Sequence, residues 1–228
     1  MLIKALCDYY DILAVKGSVL PAGYSKVNVH YKISLTEEGQ IDEIIDCQKK
    51  ELVLSGKKAK EKKGPVEMIM PERTEKPGID ANIVEHRPLY IFGLNLDKDH
   101  LTPNDRTDKA KKSHMAFVKA NLDFTENLQS PIISAFRNFL LSWKPEEQTE
   151  NEWLLGLGKD YQKAGFAFCL SGEPDYLLHE DQELKKKWEG EYAGRSVEDD
   201  NARTAQCAVT GETEPIARIH SKIKGVYG

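Results

Sequence analysis

Val27-Asn28-Val29-His30-Tyr31-Lys32-Ile33-Ser34-Leu35 runs through Thr36-Glu37-Glu38-Gly39-Gln40 into Ile41-Asp42-Glu43-Ile44-Ile45-Asp46-Cys47, and the reading of this stretch decides the fold. Val27, Val29, Tyr31, Ile33 and Leu35 alternate with other partners. That period of two puts every second side chain on one face of a sheet. The spacing predicts one continuous strand, a turn at Glu37-Glu38-Gly39, and a return strand over Ile41 to Cys47. Together they make an antiparallel hairpin.

Upstream, Leu2, Leu6, Tyr9, Tyr10 and Leu13 fall at helical spacing, so residues 2–15 are expected to form an amphipathic helix that ends near Gly17. Pro21 to Ser25 reads as a turn. Downstream, Val66 to Met70 and Leu89 to Leu94 are candidate strands. Between the hairpin and Val66 stands a dense lysine run, Lys57, Lys58, Lys60, Lys62 and Lys63, which is expected to form a basic loop projecting from the sheet. Pro71, Pro77 and Pro88 each fix a backbone angle, so the segment after the run is stiffer than a Gly/Ser linker.

Asn95 to Asp108 is polar and reads as a loop. Ala110, Phe117, Val118 and Leu122 mark a helix from Lys109. Ser130-Pro131 has the N-cap and first-turn proline of a second helix, whose apolar set is Ile132, Ile133, Phe136, Phe139, Leu140 and Trp143. An acidic connector follows from Pro145 to Asn151, then a buried strand over Gly165 to Leu170 and a helix from Asp181 to about Glu189 that carries Trp188. Arg195 to Ala205 reads as polar linker, and the tail as a short apolar strand from Cys207 with a turn at Thr210-Gly211-Glu212. Strands precede helices without alternation, so the expected class is α+β: a mainly antiparallel sheet with helices packed on it.

Composition narrows function. The chain has 228 residues, 40% apolar and 30% charged, with a net charge of -5, so it is expected to be globular, with any nucleic-acid contact confined to a local basic patch on an acidic body. Cys7, Cys47, Cys169 and Cys207 form no CxxC pair, which favours reduced, buried thiols in a cytoplasmic protein over disulfides or a zinc knuckle. No signal segment is seen, and no apolar run approaches the roughly 18 residues a membrane span needs.

Motifs for covalent chemistry are missing. Gly156-Leu157-Gly158 lacks the third glycine of a dinucleotide loop. His179-Glu180-Asp181 resembles half of a zinc motif, but position 183 is Glu183 where a second histidine is required. Asp97, Asp99 and Asp105 lack the glycine of a calcium loop, and Cys207 with His220 lacks an orienting Asn or Asp. No cofactor, no metal and no catalytic residue are expected.

Four stretches in order carry a resemblance over essentially the whole chain. They are Leu2-Ile3-Lys4-Ala5-Leu6 with Tyr9-Tyr10 and Pro21-Ala22-Gly23-Tyr24-Ser25; Gly78-Ile79 with Asn82, Tyr90 and Gly93; Leu178-His179-Glu180-Asp181 to Trp188-Glu189; and Cys207-Ala208-Val209-Thr210-Gly211-Glu212 with Pro215 to His220 and Lys222 to Val226. The chain resembles the N-terminal part of the large subunit of the type I-C CRISPR surveillance complex, Cascade. It departs from that family after Asn82, where Ile83-Val84-Glu85-His86 replaces an apolar pair followed by Asp and another polar residue. The resemblance implies that residues 1–228 are a single N-terminal domain of a longer subunit whose helical C-terminal part is absent.

The resemblance also implies a non-catalytic role. Such subunits recognise the protospacer-adjacent motif on double-stranded DNA, help open the duplex for guide RNA pairing, sit beside other Cascade subunits, and present a surface to a helicase-nuclease. On the matched motif Asn82 is the expected reader, since an amide both donates and accepts, suiting adenine in the major groove or acceptors in the minor groove. Lys57, Lys58, Lys60, Lys62 and Lys63 would hold phosphates, Arg73 and Lys76 lie closer to Asn82, and Arg218, Lys222 and Lys224 form a second basic cluster. Two alternatives stay open: a structural docking module without DNA reading, and a metal-dependent nuclease built on His179 and Glu180.

Overall fold

In the computed structural model of the chain, residues 2–55, 58–72, 78–97, 100–103, 108–194, 204–207, 211 and 213–215 are described, with main chain alone over 2–3, 51–55, 58–62, 193–194 and 214–215. Contacts divide the chain into two units, residues 24–186 and residues 1–23 with 187–228.

The smaller unit begins with α1 (Leu2–Val15), as the helical spacing predicts. Gly17 follows at φ +65°, and the N–H groups of Gly17 and Ser18 donate to the carbonyls of Ala14 and Leu13. Glycine supplies the left-handed angle that ends the helix.

In the larger unit, the alternation from Val27 to Leu35 does not build one strand. The chain breaks at His30 into β1 (Tyr24–Val29) and β2 (Tyr31–Leu35), which enter different sheets. After the expected turn come β3 (Ile41–Asp46), β4 (Lys49–Ser55), β5 (Lys58–Gly64) and β6 (Val66–Pro71). β2 pairs with β3, β4 with β5, and β1 with β6, all antiparallel. The β1–β6 pair thus encloses the β2–β3 and β4–β5 pairs, and the chain passes from one pair to the next at His30, at Cys47-Gln48 and at Pro65. Pro65 has no N–H to give a ladder, which suits it to such a break.

Two of those breaks meet. The Cys47 N–H donates to the His30 carbonyl at 3.0 Å. His30 and Tyr31 both donate their N–H groups to the Gly165 carbonyl, at 2.8 and 3.2 Å, and the Gly165 N–H donates to His30 Nδ1 at 3.0 Å. A Cβ at Gly165 would lie 2.0 Å from the Asn28 carbonyl oxygen, so only glycine fits there.

Farther along, Leu89 to Leu94 is not a strand. Pro88 opens and Gly93, at φ 67°, closes a one-turn helix, α2 (Pro88–Phe92), with Pro88, Tyr90, Ile91 and Phe92 all buried. A short apolar run covered on all sides carries no period that separates helix from strand. The expected loop after it holds a small hairpin, β7 (Asn95–Asp97) with β8 (His100–Thr102).

Next come α3 (Lys109–Phe124) and α4 (Pro131–Ser142), where Ser130 Oγ accepts from the Ile133 N–H as a cap should. α5 (Glu152–Gly156) leads to β9 (Phe166–Leu170), which is buried throughout, and β10 (Glu173–Leu177). The main sheet has the order β10-β9-β2-β3, with β2 and β9 parallel and the other pairs antiparallel. α4 packs on it: Phe136 and Phe139 stack against Phe168 with ring centroids 4.9 and 5.6 Å apart.

The last helix among the described residues, α6 (Gln182–Gly194), starts in the larger unit, where Asp181 Oδ1 accepts from the N–H groups of Glu183 and Leu184. In the smaller unit its Trp188 donates Nε1–H to the Gly23 carbonyl at 2.8 Å and stacks near Tyr192. β11 (Thr204–Gln206) and β12 (Thr213–Pro215) form a further hairpin, so part of the expected linker is strand, while residues 208–210 of the expected tail strand lie outside the described residues. The class is α+β, with antiparallel pairing dominant.

Candidate nucleic-acid interface

The lysine run is not a loop. Lys58 to Gly64 is strand β5, paired residue for residue with β4, from Ser55 opposite Lys58 to Lys49 opposite Gly64. Lysine and glutamate are poor strand formers, so composition hides the strand; main-chain pairing with the stretch that holds Leu52, Val53 and Leu54 makes it. The result is a two-stranded ribbon, separate from the main sheet, of roughly 24 Å at the usual rise per residue.

Charge concentrates on this ribbon. From Lys49 to Gly64 the chain has seven lysines and two glutamates, net +5, while the remainder carries -10. Lys58, Lys60 and Lys62 take alternate positions, opposite Ser55, Val53 and Glu51. Lys63 stands at the base, its Nζ donating to Asp46 Oδ2 at 2.7 Å, so this ammonium is held by the protein's own carboxylate. Asp46 Oδ1 also accepts from the Gln48 N–H, which ties the break to the ribbon. Lys57, Arg73, Lys76, Arg218, Lys222 and Lys224 lie outside the described residues.

The loop after the ribbon is organised around Glu85. Its carboxylate has no solvent exposure and faces the Arg87 guanidinium, with Nε 2.8 Å from Oε1 and Nη2 on Oε2. Oε1 also accepts from the N–H groups of His86 and Arg87 at 3.0 Å. Arg87 reaches the Asp80 carbonyl at 3.3 Å and lies over the Tyr90 ring, 3.8 Å from its centroid. One buried carboxylate thereby fixes residues 80–90.

Asn82 belongs to this knot, which corrects the expectation that its amide faces a base. The residue is 8% exposed. Its Nδ2 donates to Glu85 Oε2 at 3.3 Å, and its own carbonyl accepts from Asn121 Nδ2 at 3.1 Å. Asn121 Oδ1 in turn accepts from the N–H of Val84, a buried β-branched residue in the left-handed region at φ 57°. The amide therefore holds the loop in shape, and Gly78 and Ile79 are the parts exposed to solvent. An Asn three residues before Glu85, followed by Arg87, was the sequence signal for an inward knot.

His179, singled out for a metal, is in the core with 0% exposure, and neither ring nitrogen has a hydrogen-bond partner. Asp181 is occupied as the cap of α6, and among the described residues no group of three metal-binding side chains comes together. Burial pushes the His179 imidazole down to about 4, with Lys185 and Lys32 adding repulsion. Its stabilising share is complete above the ordinary value of 6.5 and is lost as pH falls from there toward 4, because the unfolded chain takes the proton first. Folding stability is expected to drop by about 3 kcal/mol across that window. Urea midpoints between pH 7 and pH 4 measure it, and His179→Leu should flatten the profile.

The geometry thus combines a basic two-stranded ribbon with a rigid, internally bonded loop. Residues 6–228 match the family of CRISPR-associated proteins, Cas_Csd1, and the chain belongs to that family. This agrees with the resemblance carried by the four stretches: it is a Cascade component, consistent with the large subunit of the type I-C complex, and it assembles with other Cascade components. Comparison with curated proteins found no match. Among the described residues, no helix is long and apolar enough to cross a membrane.

Proposed function

We propose that the chain is a non-catalytic, cytoplasmic subunit that recognises the protospacer-adjacent motif on double-stranded DNA and helps open the duplex for guide RNA pairing. The observation that carries this reading is the ribbon β4–β5, net +5 on a chain of net -5. A two-stranded ribbon fits a major groove about 12 Å wide, and its lysines suit phosphates. Lys57, Lys58, Lys60 and Lys62 position the duplex, while Arg73 and Lys76 lead toward the exposed Gly78-Ile79. Asn82 serves by keeping that loop rigid, so its effect on motif discrimination is indirect. Arg218, Lys222 and Lys224 form a second contact, to nucleic acid or a neighbouring subunit, and the helicase-nuclease is recruited once the target is bound.

A gel-shift titration of the assembled complex at two salt concentrations tests this. Replacing Lys58, Lys60 and Lys62 by Ala is expected to weaken duplex binding about ten- to a hundredfold and to lower the log–log salt slope by about 2–3. An unchanged affinity and slope rejects the ribbon as the DNA contact. A docking module is the second reading, favoured by the ion pair of Lys63 with Asp46 and the inward amide of Asn82. It predicts that the same triple variant loses assembly with its neighbours while retaining duplex binding.

A further inference from the structure

A cavity of about 400 Å³ opens between α3 and α4, and none of the residues assigned to DNA above lines it. Its walls are Met115 and Val118 of α3, Leu140 of α4, and Trp143 and Pro145 just beyond it. Lys111 and Lys119 line it as well. Lys111, Met115, Val118 and Lys119 are spaced i, i+4, i+7 and i+8, so one helical stripe supplies apolar wall and basic rim together. Met115 is left 61% exposed at the lip, a large flexible apolar side chain in water.

Two polar ring atoms of the walls are already committed. His114 Nδ1 donates to the Tyr90 carbonyl at 2.9 Å, and Trp143 Nε1 donates to the Phe92 carbonyl at 3.0 Å. Burial lowers the proton affinity of His114, so its ring is neutral at pH 7 and adds no charge. A nucleobase read by its edge would need donors and acceptors that these two atoms do not offer. An apolar side chain needs none, and volumes of about 300–1,000 Å³ are usual for such sites.

Charge around the mouth chooses the rest of the ligand. α3 carries Lys109, Lys111, Lys112 and Lys119 against Asp123, in a chain whose net charge is negative. Glu146 also lines the cavity, and Lys144 is paired with Glu147 at 2.9 Å, so Lys111 and Lys119 are the lining cations that act. We propose that this cavity is a docking pocket for a partner protein, taking an acidic polypeptide segment that inserts one aromatic or large aliphatic side chain between α3 and α4. The anchor is desolvated against Met115, Val118 and Leu140, and flanking carboxylates meet Lys111 and Lys119. The assignment is independent of the DNA recognition proposed above, which uses other residues.

Fluorescence anisotropy on the full chain tests it with three labelled short peptides: acidic with a central Trp, acidic with a central Ala, and basic with a central Trp. The acidic Trp peptide is expected to bind about tenfold or more tighter than either control, the gain that burying one large apolar side chain supplies. Val118→Asp should abolish that advantage, and Lys111→Glu with Lys119→Glu should weaken binding about tenfold and flatten its salt dependence. Leu141→Ser, at an exposed site on α4 that does not line the cavity, should change nothing. If Val118→Asp does not fold by circular dichroism, Met115→Glu at the exposed lip gives the same reading. Equal binding of the Ala peptide overturns the proposal. So does tighter binding of a single-stranded oligonucleotide that is lost in the lip variant, or a dimer of this chain that the lip variant dissolves.

Discussion

Glu85→Ala is expected to destabilise the chain by about 3–5 kcal/mol, the range for breaking a buried ion pair by removing one partner. The carboxylate is fully enclosed and takes donors from Asn82, His86 and Arg87. Alanine leaves the half-buried guanidinium of Arg87 without its counter-charge. It also leaves main-chain N–H groups unpaired where water does not reach easily, each costing about 1–3 kcal/mol. Glu85→Gln keeps the shape and an acceptor but loses the charge, so its loss should be smaller. Urea denaturation of the two variants beside the parent chain decides it. A Glu85→Ala midpoint within error of the parent would show that the knot contributes nothing to folding.

The second large effect belongs to Gly165→Ala. Ordinary overpacking costs about 1–3 kcal/mol because side chains shift to make room. Here the obstacle is the Asn28 carbonyl oxygen, 2.0 Å from the new methyl, and main chain yields less readily. The same residue accepts from His30 and Tyr31 and donates to the His30 ring, so displacing it loosens both β1 and the parallel pairing of β2 with β9. We expect more than about 3 kcal/mol, read as a lowered thermal midpoint. Gly190→Ala is the matching control, since a Cβ there meets nothing within 4 Å.

Most of this architecture is legible in the residues. The hairpin turn, Ser130 as a cap, and the buried strand at Phe166 to Leu170 all follow from short-range rules that tertiary contacts do not oppose. What escapes the sequence is decided at long range. Alternation runs unbroken through His30 because both halves of the segment bury one face, and only their partners, β6 for one and β3 with β9 for the other, divide them. The lysine-rich strand escapes because its composition argues for solvent, while its register with β4 is set by pairing. Asn82 reads as an outward turn residue until the carboxylate three positions on, and Asn121 from α3, are seen to claim it.

The ribbon has one further consequence. Among the described residues this sheet has two strands, so each has an outer edge whose N–H and C=O groups face no third strand. Such edges anneal to one another unless something discourages it, and Leu52-Val53-Leu54 is the kind of sequence that would. Repeated ammonium groups on such a strand are expected to keep two copies of the molecule apart, a gatekeeping duty separate from any ligand. Neutralising them should therefore bring on self-association as concentration rises, which sedimentation velocity would reveal.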